Sequence, residues 1–438
     1  MAKANPDQAR LLAWEVFRNV QSGESYSHIA LPHALAASHL DSRDRSFVTE
    51  IVYGGLRMQG HSDYALAQVS DRPLDALDRD LLDLLRFSAY QILHTRIPPH
   101  AAVSANVELA RKVLGESKAS FVNAVLRKVS ASSIDHWLAP SSTIEDPIER
   151  LAIQYSHPQW IVSAYIDCLK DVAEVEAALS ANNRPAPPTL IAWPGEISQQ
   201  ELLAEGGSAT KFSPYGVISA KPPHEYEAIR TRRAGVQDEG SQLVASTFMA
   251  AAAGAKTVLD TCAGPGGKAA LISRLCRASS QKFYANEISP VRAELVTSVI
   301  VGGEISVGDA RDISGNFDAI LSDVPCTGIG ALRRRPEVRW RRTPSDIKNL
   351  VPLQIEIAQK ALENLNPGGI FGYATCSPHL AESRSVVEAL LRKNPNVEEV
   401  AVEHTIEGAH QAKAMQLWTH RHNTDSMFLA LMRKKATV

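Results

Sequence analysis

From about residue 236 onward the chain alternates short apolar runs with helical segments, and few folds accommodate that alternation. The runs are TVLDTC, KFYANE, EISVGD, FDAILSDV, GIFGYATC and, near the end, MFLALMR. Strands separated by helices cross over rather than turn back, so they lie parallel. The pattern predicts a doubly wound, Rossmann-like α/β sheet over residues 236–438, with ligands bound beyond the carboxyl ends of its strands. Four successive runs close on an acid: Asp260, Glu287, Asp309 and Asp323. A solvated strand end needs no particular side chain, so four acids on one edge point to a ligand.

The first run opens VLDTCAGPGGKA (258–269), a strand, a glycine-rich turn and a helix start. A phosphate-binding P-loop needs glycine at 262 and Ser or Thr at 269, where Cys262 and Ala269 stand. Gly264, Gly266 and Gly267 also miss the dinucleotide spacing. What remains is close backbone approach to a small nucleoside cofactor. Glu287, about 20 residues on, suits a ribose diol, and Asp309 the adenine side. Ribose, adenine and a positive centre together describe S-adenosylmethionine. A nicotinamide cofactor fits less well, because no pyrophosphate cradle is present.

The rest of the chain carries less chemistry. Residues 1–135 show helical spacing throughout: PDQARLLAWEVFRNV with Pro6 and Asp7 as start signals, then three further runs, then SKASFVNAVLRKVS. They predict an all-α bundle. Residues 136–235 mix helical and strand-like runs around prolines at 185–188, which reads as a connecting α/β subdomain. At 438 residues, two or three domains are expected. No apolar run reaches the roughly 20 residues of a membrane span, and the N-terminus lacks a signal-peptide pattern, so a cytoplasmic, membrane-free, monomeric protein is expected. The net charge of −2 excludes a global attraction to nucleic acid. A local basic site is offered by RRRPEVRWRR (333–342), with six arginines and a tryptophan. Arg333, Arg334, Arg335, Arg339 and Trp340 are therefore expected to meet RNA backbone. Five scattered cysteines form neither a disulfide framework nor a metal site, so no metal is expected.

Two of those cysteines stand apart. Cys326, in LSDVPCTG, and Cys376, in YATCSP, each follow a strand on the ligand edge. Cys168 and Cys276 read as small buried hydrophobes, and Cys262 either contacts the cofactor or fills space. A pyrimidine C5 is too weak a nucleophile to take a methyl from a sulfonium unaided. A thiolate adding at C6 makes C5 an enamine carbon, and a second group must then help remove the C5 proton and release the thioether. Density pushed to the ring N3 calls for an acid, which Asp323 supplies. Pattern alone leaves open which cysteine attacks. The base must be unpaired or flipped out to reach the pocket.

LDTCAGPGGKA, LSDVPCTGIGALRRRPEVRW and GYATCSP resemble the motifs of the RNA cytosine-5 methyltransferases, and GVQDEGSQLVA (235–245) is similar to the segment opening their catalytic domain. The N-terminal helices, including SFVNAVLRKV, resemble the RNA-binding domain of antitermination factor B. The pairing looks like the Sun/Fmu-type enzymes of bacterial 16S ribosomal RNA. The resemblance implies methylation of C5 of a cytosine, cytosine 967 in the 16S case. It implies that Cys376 attacks and Cys326 assists release, with Asp323 and Lys268 completing the catalytic set. It places the cofactor on Cys262, Ala263, Gly264, Pro265, Gly266, Gly267, Lys268, Glu287, Asp309 and Asp323. The chain departs from the family at Gly264, where alanine is common, and at Ser426, where glycine is usual. Transfer RNA as substrate, or a non-catalytic RNA-binding assembly factor, are the alternatives.

Overall fold

The structure, a computed structural model, describes residues 7–436. It packs as two units. One holds the chain up to Arg184 together with Leu332–Arg342, the other Pro185–Ala331 together with the chain from Thr343 onward.

The first unit is helical. Pro6 lies outside the described residues, but Asp7 caps helix Gln8–Ser22 by accepting from the Ala9 N–H at 3.0 Å. Helices Ser42–Arg57, Arg79–His94, Pro99–Leu114 and Glu116–Val129 follow the expected runs. Their amphipathic faces bury Trp14, Phe17 and Phe87, whose rings meet at 5.4–6.5 Å. Each such side chain contributes roughly 1.5–3 kcal/mol by leaving water, and each ring pair about 0.5–1.5 kcal/mol more.

The connecting subdomain expected over 136–235 does not exist as one body. Helices Pro147–Gln154, Gln159–Leu169 and Val172–Asn182 join the helical unit, where Pro147–Gln154 packs on helix Gln59–Val69. The break falls at Arg184, on the proline-rich stretch.

The arginine-rich run is the larger correction, because it is built into the helical unit. Arg339 is fully buried, and its guanidinium donates to Arg57 O (3.2 Å), Ser156 O (2.9 Å), Asn182 O (3.3 Å) and Asn183 Oδ1 (2.8 Å). Trp340 Nε1 donates to Leu56 O at 2.7 Å, and Arg333 is buried. Glu337 accepts from the Ser27 N–H (3.0 Å) and hydroxyl (2.7 Å), which supplies helix Ser27–Ala36 with the anionic cap that its own Tyr26 cannot give. Arg341 stacks over the Tyr26 ring at 4.7 Å. Arg339 is thus an interior group satisfying carbonyls of the helical unit and Arg333 is buried with it, contrary to the expected RNA contact, whereas Trp340 is half-buried with its indole N–H engaged by Leu56 O. Arg334 and Arg335 are half-buried.

The second unit contains two sheets. Strands β1 (Thr189–Ala192), β2 (Ser208–Ala209), β3 (Gly216–Ile218) and β4 (Ala234–Val236) form an antiparallel sheet in the order β2-β3-β1-β4. The main sheet contains β5 (Thr257–Asp260), β6 (Lys282–Glu287), β7 (Glu304–Val307), β8 (Phe317–Asp323) and β9 (Leu365–Thr375), all parallel, in the order β7-β6-β5-β8-β9. Beyond β9 the antiparallel β13 (Phe428–Lys434) pairs with β10 (Val397–Val400) and β12 (Ala414–Gln416), and β11 (His410–Gln411) closes the edge. All six expected strands are present. The order reverses beside β5, which creates the crevice that binds ligands in such sheets. Asp260, Glu287 and Asp323 end their strands, whereas Asp309 stands two residues past β7 and caps the turn Ala310–Asp312.

Candidate active site

The glycine loop leaves β5 and enters helix Gly267–Ala278 with Gly266 at φ +119°, a conformation that L side chains rarely adopt. A Cβ at Gly266 would also come within 2.7 Å of Val299 Cγ2. At Gly264 it would come within 2.2 Å of Glu287 Oε2 and 2.7 Å of Arg292 Nε. Here the ion pair between Glu287 and Arg292, at 2.9 Å, occupies the space an alanine methyl would need.

Glu287 is 2 % exposed and organises the loop. Its Oε2 accepts from the Gly264 N–H (2.9 Å), its Oε1 from the Ser289 N–H (3.0 Å), and Arg292 also donates to Gly264 O at 2.8 Å. Asp309 is engaged by Arg311 through the backbone N–H (2.9 Å) and the guanidinium (2.6 and 3.0 Å), which holds its carboxyl below the usual range.

Lys268, in the first turn of the helix, reaches across to β8 and pairs with Asp323 Oδ2 at 2.7 Å, with Ser241 Oγ at 3.4 Å. Burial opposes its charge, but Asp323 outweighs it and leaves the Lys268 pKa raised. Asp260 is buried at the end of β5. Its Oδ1 accepts from the Cys262 N–H at 3.2 Å, and its Oδ2 has no hydrogen-bond partner. Burial first, then the neighbouring Asp323, push its carboxyl up to about 7. Burial likewise pushes the Cys262 thiol up to about 12, so that it keeps its proton.

The two remaining cysteines meet. In the β8–β9 register Asp323 lies opposite Ala374, so the exits of the two strands run side by side. The Val324 N–H donates to Ala374 O (3.1 Å) and the Gly330 N–H to Cys376 O (2.9 Å). Cys326 Sγ and Cys376 Sγ lie 3.4 Å apart. The contact with Cys376, reinforced by burial, drives the Cys326 thiol well up, so Cys326 holds its proton. Lys268 is electrostatically coupled to Cys376. An anion at Cys376 would therefore have an ammonium near it and an S–H donor against it. Ser426 donates its backbone N–H to Gly330 O at 2.8 Å, and its hydroxyl, which a glycine would lack, accepts from the Thr419 N–H at 3.3 Å and lies 3.2 Å from Thr419 Oγ1.

Sequence reasoning brought together Cys326, Cys376, Lys268, Asp323, Glu287 and the loop, and the structure does the same. It missed Arg292, Ser241 and the polar residues around Glu382, none of which lies in a recognisable spacing. The residues fit S-adenosylmethionine in that Asp260 offers a buried oxygen without a hydrogen-bond partner beside Asp323 and Glu287. Among the described residues no group of three His, Cys, Asp or Glu is arranged to hold a metal, and no helix is long and apolar enough to cross a membrane.

The chain is similar to known proteins along nearly its whole length. The 16S rRNA methyltransferase RsmB/F family matches residues 248–433, and the NusB family matches residues 7–131. A Mycobacterium tuberculosis chain named only as a methyltransferase is 40 % identical over 98 % of this chain and 97 % of its own length. The ribosomal RNA small subunit methyltransferase B of Pseudomonas putida is 31 % identical over 98 % of each chain. Among solved structures, PH0851 superposes with a TM-score of 0.82 at 21 % identity, covering 99 % of this chain and 100 % of its own. NSun6 from Pyrococcus horikoshii, solved with SFG, an S-adenosylmethionine analogue, gives 0.55 at 17 % identity over 64 % of this chain and 99 % of its own. With a NusB-type helical region, a glycine loop ringed by acids and full-length relatives of one kind, the chain belongs to the RsmB/F family of S-adenosylmethionine-dependent 16S rRNA methyltransferases.

Proposed function

We propose that the chain methylates C5 of a cytosine in 16S ribosomal RNA through a covalent cysteine–C6 adduct, with Cys376 attacking and Cys326 assisting release. The observation that carries this is the 3.4 Å pair of sulfurs beside the Lys268–Asp323 ion pair. Two cysteines in contact at one strand edge, without a metal-binding set, suit a reaction that needs one thiolate and one proton-handling partner.

Lys268 and the Cys326 S–H favour negative charge on Cys376, which supports Cys376 as the attacking residue. The Cys376 sulfur bonds to C6 of an extruded cytosine, and the ring electrons move toward N3. Asp323, held by Lys268, is placed to hydrogen-bond that edge of the ring. When bound, S-adenosylmethionine supplies the electrophilic methyl group that C5 takes up. Glu287, Asp309 and the loop Cys262–Lys268 would hold it, with Arg292 closing the loop from outside. Water then takes the C5 proton, the ring electrons that had moved toward N3 return, and the C6–S bond breaks with Cys376 leaving as thiolate; the Cys326 S–H, in contact with that sulfur, stabilises it as it leaves. Of the arginine run, the half-buried Arg334, Arg335 and Arg342 are the candidates for phosphate contact.

Transfer of tritium from labelled cofactor methyl to RNA tests the reaction. Bisulfite sequencing of ribosomal and transfer RNA, from cells with and without the gene, locates the product. A new 5-methylcytosine in 16S RNA, at cytosine 967 if the resemblance holds to the nucleotide, is the expected result. A mark confined to transfer RNA would overturn the substrate, and no incorporation into any RNA would overturn the chemistry.

A further inference from the structure

We propose that Glu382 is a positioning residue that fixes the distance between the two cysteines, by binding with one carboxylate the residue that follows each of them. This rests on the roles just assigned to Cys326 and Cys376. Glu382 lies in the short turn Leu380–Glu382 after β9 and is fully buried. Its Oε1 accepts from the Thr327 N–H at 2.8 Å and from Gln354 Nε2 at 3.1 Å. Its Oε2 accepts from Ser377 Oγ at 2.6 Å and from the Thr327 hydroxyl. Thr327 follows Cys326, and Ser377 follows Cys376.

The surroundings extend the same tie. Gln354 Nε2 also donates to Pro325 O at 3.0 Å, the residue before Cys326. Tyr373 donates to Glu382 O at 2.7 Å and lies 3.2 Å from Gln354 Oε1, which anchors the turn to β9. Every donor to the carboxylate is uncharged. Burying an anion among neutral groups is expensive, and its hydrogen bonds offset that cost only while all are made. Such a network has one low-energy geometry, and that geometry sets both cysteine loops. The carboxylate also lies close enough to oppose ionisation of Cys326, which helps keep that thiol protonated.

A nucleophile moved by about 1 Å can lose on the order of 100-fold in rate. Glu382→Ala is therefore expected to lower kcat about 100-fold while leaving the KM for S-adenosylmethionine within twofold, because the glycine loop is not part of the network. A second readout needs no catalysis. Oxidation by diamide joins the Cys326 and Cys376 thiols as a disulfide, with diamide reduced to the hydrazine, and this should be at least tenfold slower in Glu382→Ala. Glu382→Gln, whose amide can still accept from Thr327 N–H and donate to the two hydroxyls, should restore most of both. If Glu382→Ala does not fold, Ser377→Ala and Thr327→Val, each removing hydroxyl contacts, are measured by the same two readouts. Unchanged kcat and crosslinking rate would overturn the proposal, as would a loss of kcat accompanied by an equal loss of cofactor affinity. Should Cys376→Ser and Cys326→Ala both prove fully active, the catalytic reading fails, while the crosslinking comparison in the wild-type cysteine background still reports on Glu382.

Discussion

Replacing Arg339 by alanine separates two meanings of the arginine-rich segment. If the side chain is an interior strut, the substitution must lower stability; if it touches RNA, it must lower binding. The guanidinium satisfies Ser156 O, Asn182 O and Asn183 Oδ1, and shares Arg57 O with the Ser156 hydroxyl. Its loss orphans two buried carbonyls, each costing about 1–3 kcal/mol, and the half-buried Asn183 Oδ1. Against this, the charge itself is poorly solvated: burial pulls the guanidinium down to about 9 from 12.5. At about 1.4 kcal/mol per decade, that is a strain of roughly 5 kcal/mol that the variant no longer bears. Water entering the vacated space satisfies the acceptors only in part, and packing around the side-chain stem is lost. We expect a net destabilisation of about 3 kcal/mol, equivalent to a drop of roughly 6–12 °C in Tm for a unit of this size. Arg339→Lys should fall nearly as far, since one ammonium cannot reach acceptors spread around a planar fork. Scanning calorimetry reads the helical unit's transition, and RNA affinity is measured over a range of salt concentrations. An unchanged melting transition, with weaker RNA binding and a salt slope reduced by about one, would refute the interior assignment.

Four other substitutions test the site. Cys376→Ser should form no adduct and no product, whereas Cys326→Ala should accumulate RNA–protein complexes that survive a denaturing gel; the reverse pattern would exchange the two roles. Glu287→Ala removes the acceptor of two loop N–H groups and should weaken S-adenosylmethionine binding by about 1–3 kcal/mol in titration calorimetry; unchanged affinity would mean the cofactor lies elsewhere. Asp260 titrates near 7 when folded and near 3.8 when unfolded, so between those values the unfolded chain has lost a proton that the folded chain keeps. The free protein should therefore lose stability as pH rises from about 4 to 7, by up to about 1.4 kcal/mol per pH unit, and Asp260→Asn should flatten that slope in urea titrations. Equal slopes in both proteins would show that Asp260 is not the group responsible.

The sheet was legible because β5, β6 and β8 are largely buried apolar runs closed by acids, a local signal that needs no knowledge of partners, whereas β7 is mostly exposed. The two cysteines could be placed on one edge for the same reason, although only the β8–β9 register brings their sulfurs together. Strands β1 to β4 are two to four residues long, too short for any period to emerge. The helices Ser27–Ala36 and Gln59–Val69 have no clear apolar stripe, and the first begins without a side-chain cap of its own. Its cap is Glu337, more than three hundred residues away. The same distance misled the reading of Arg339. Six arginines in ten positions look like a charged surface unless the carbonyl groups awaiting them are known. Glu382 was invisible because a lone acid in a turn carries no pattern; its role comes from two strand exits, those of β8 and β9, converging on it.

Discontinuity in the helical unit has a consequence for synthesis. Residues up to Arg184 leave the ribosome first, yet Leu332–Arg342, which caps Ser27 and fills the site lined by Arg57, Ser156 and Asn182, emerges only after residues 185–331. At about 5–20 residues per second, the helices wait on the order of ten seconds with that slot unfilled. During this interval Leu56 O and Ser156 O have only water as a partner in place of Trp340 and Arg339. The nascent helices should therefore be protease-sensitive until residue 342 has cleared the exit tunnel, and become resistant in one step when it does.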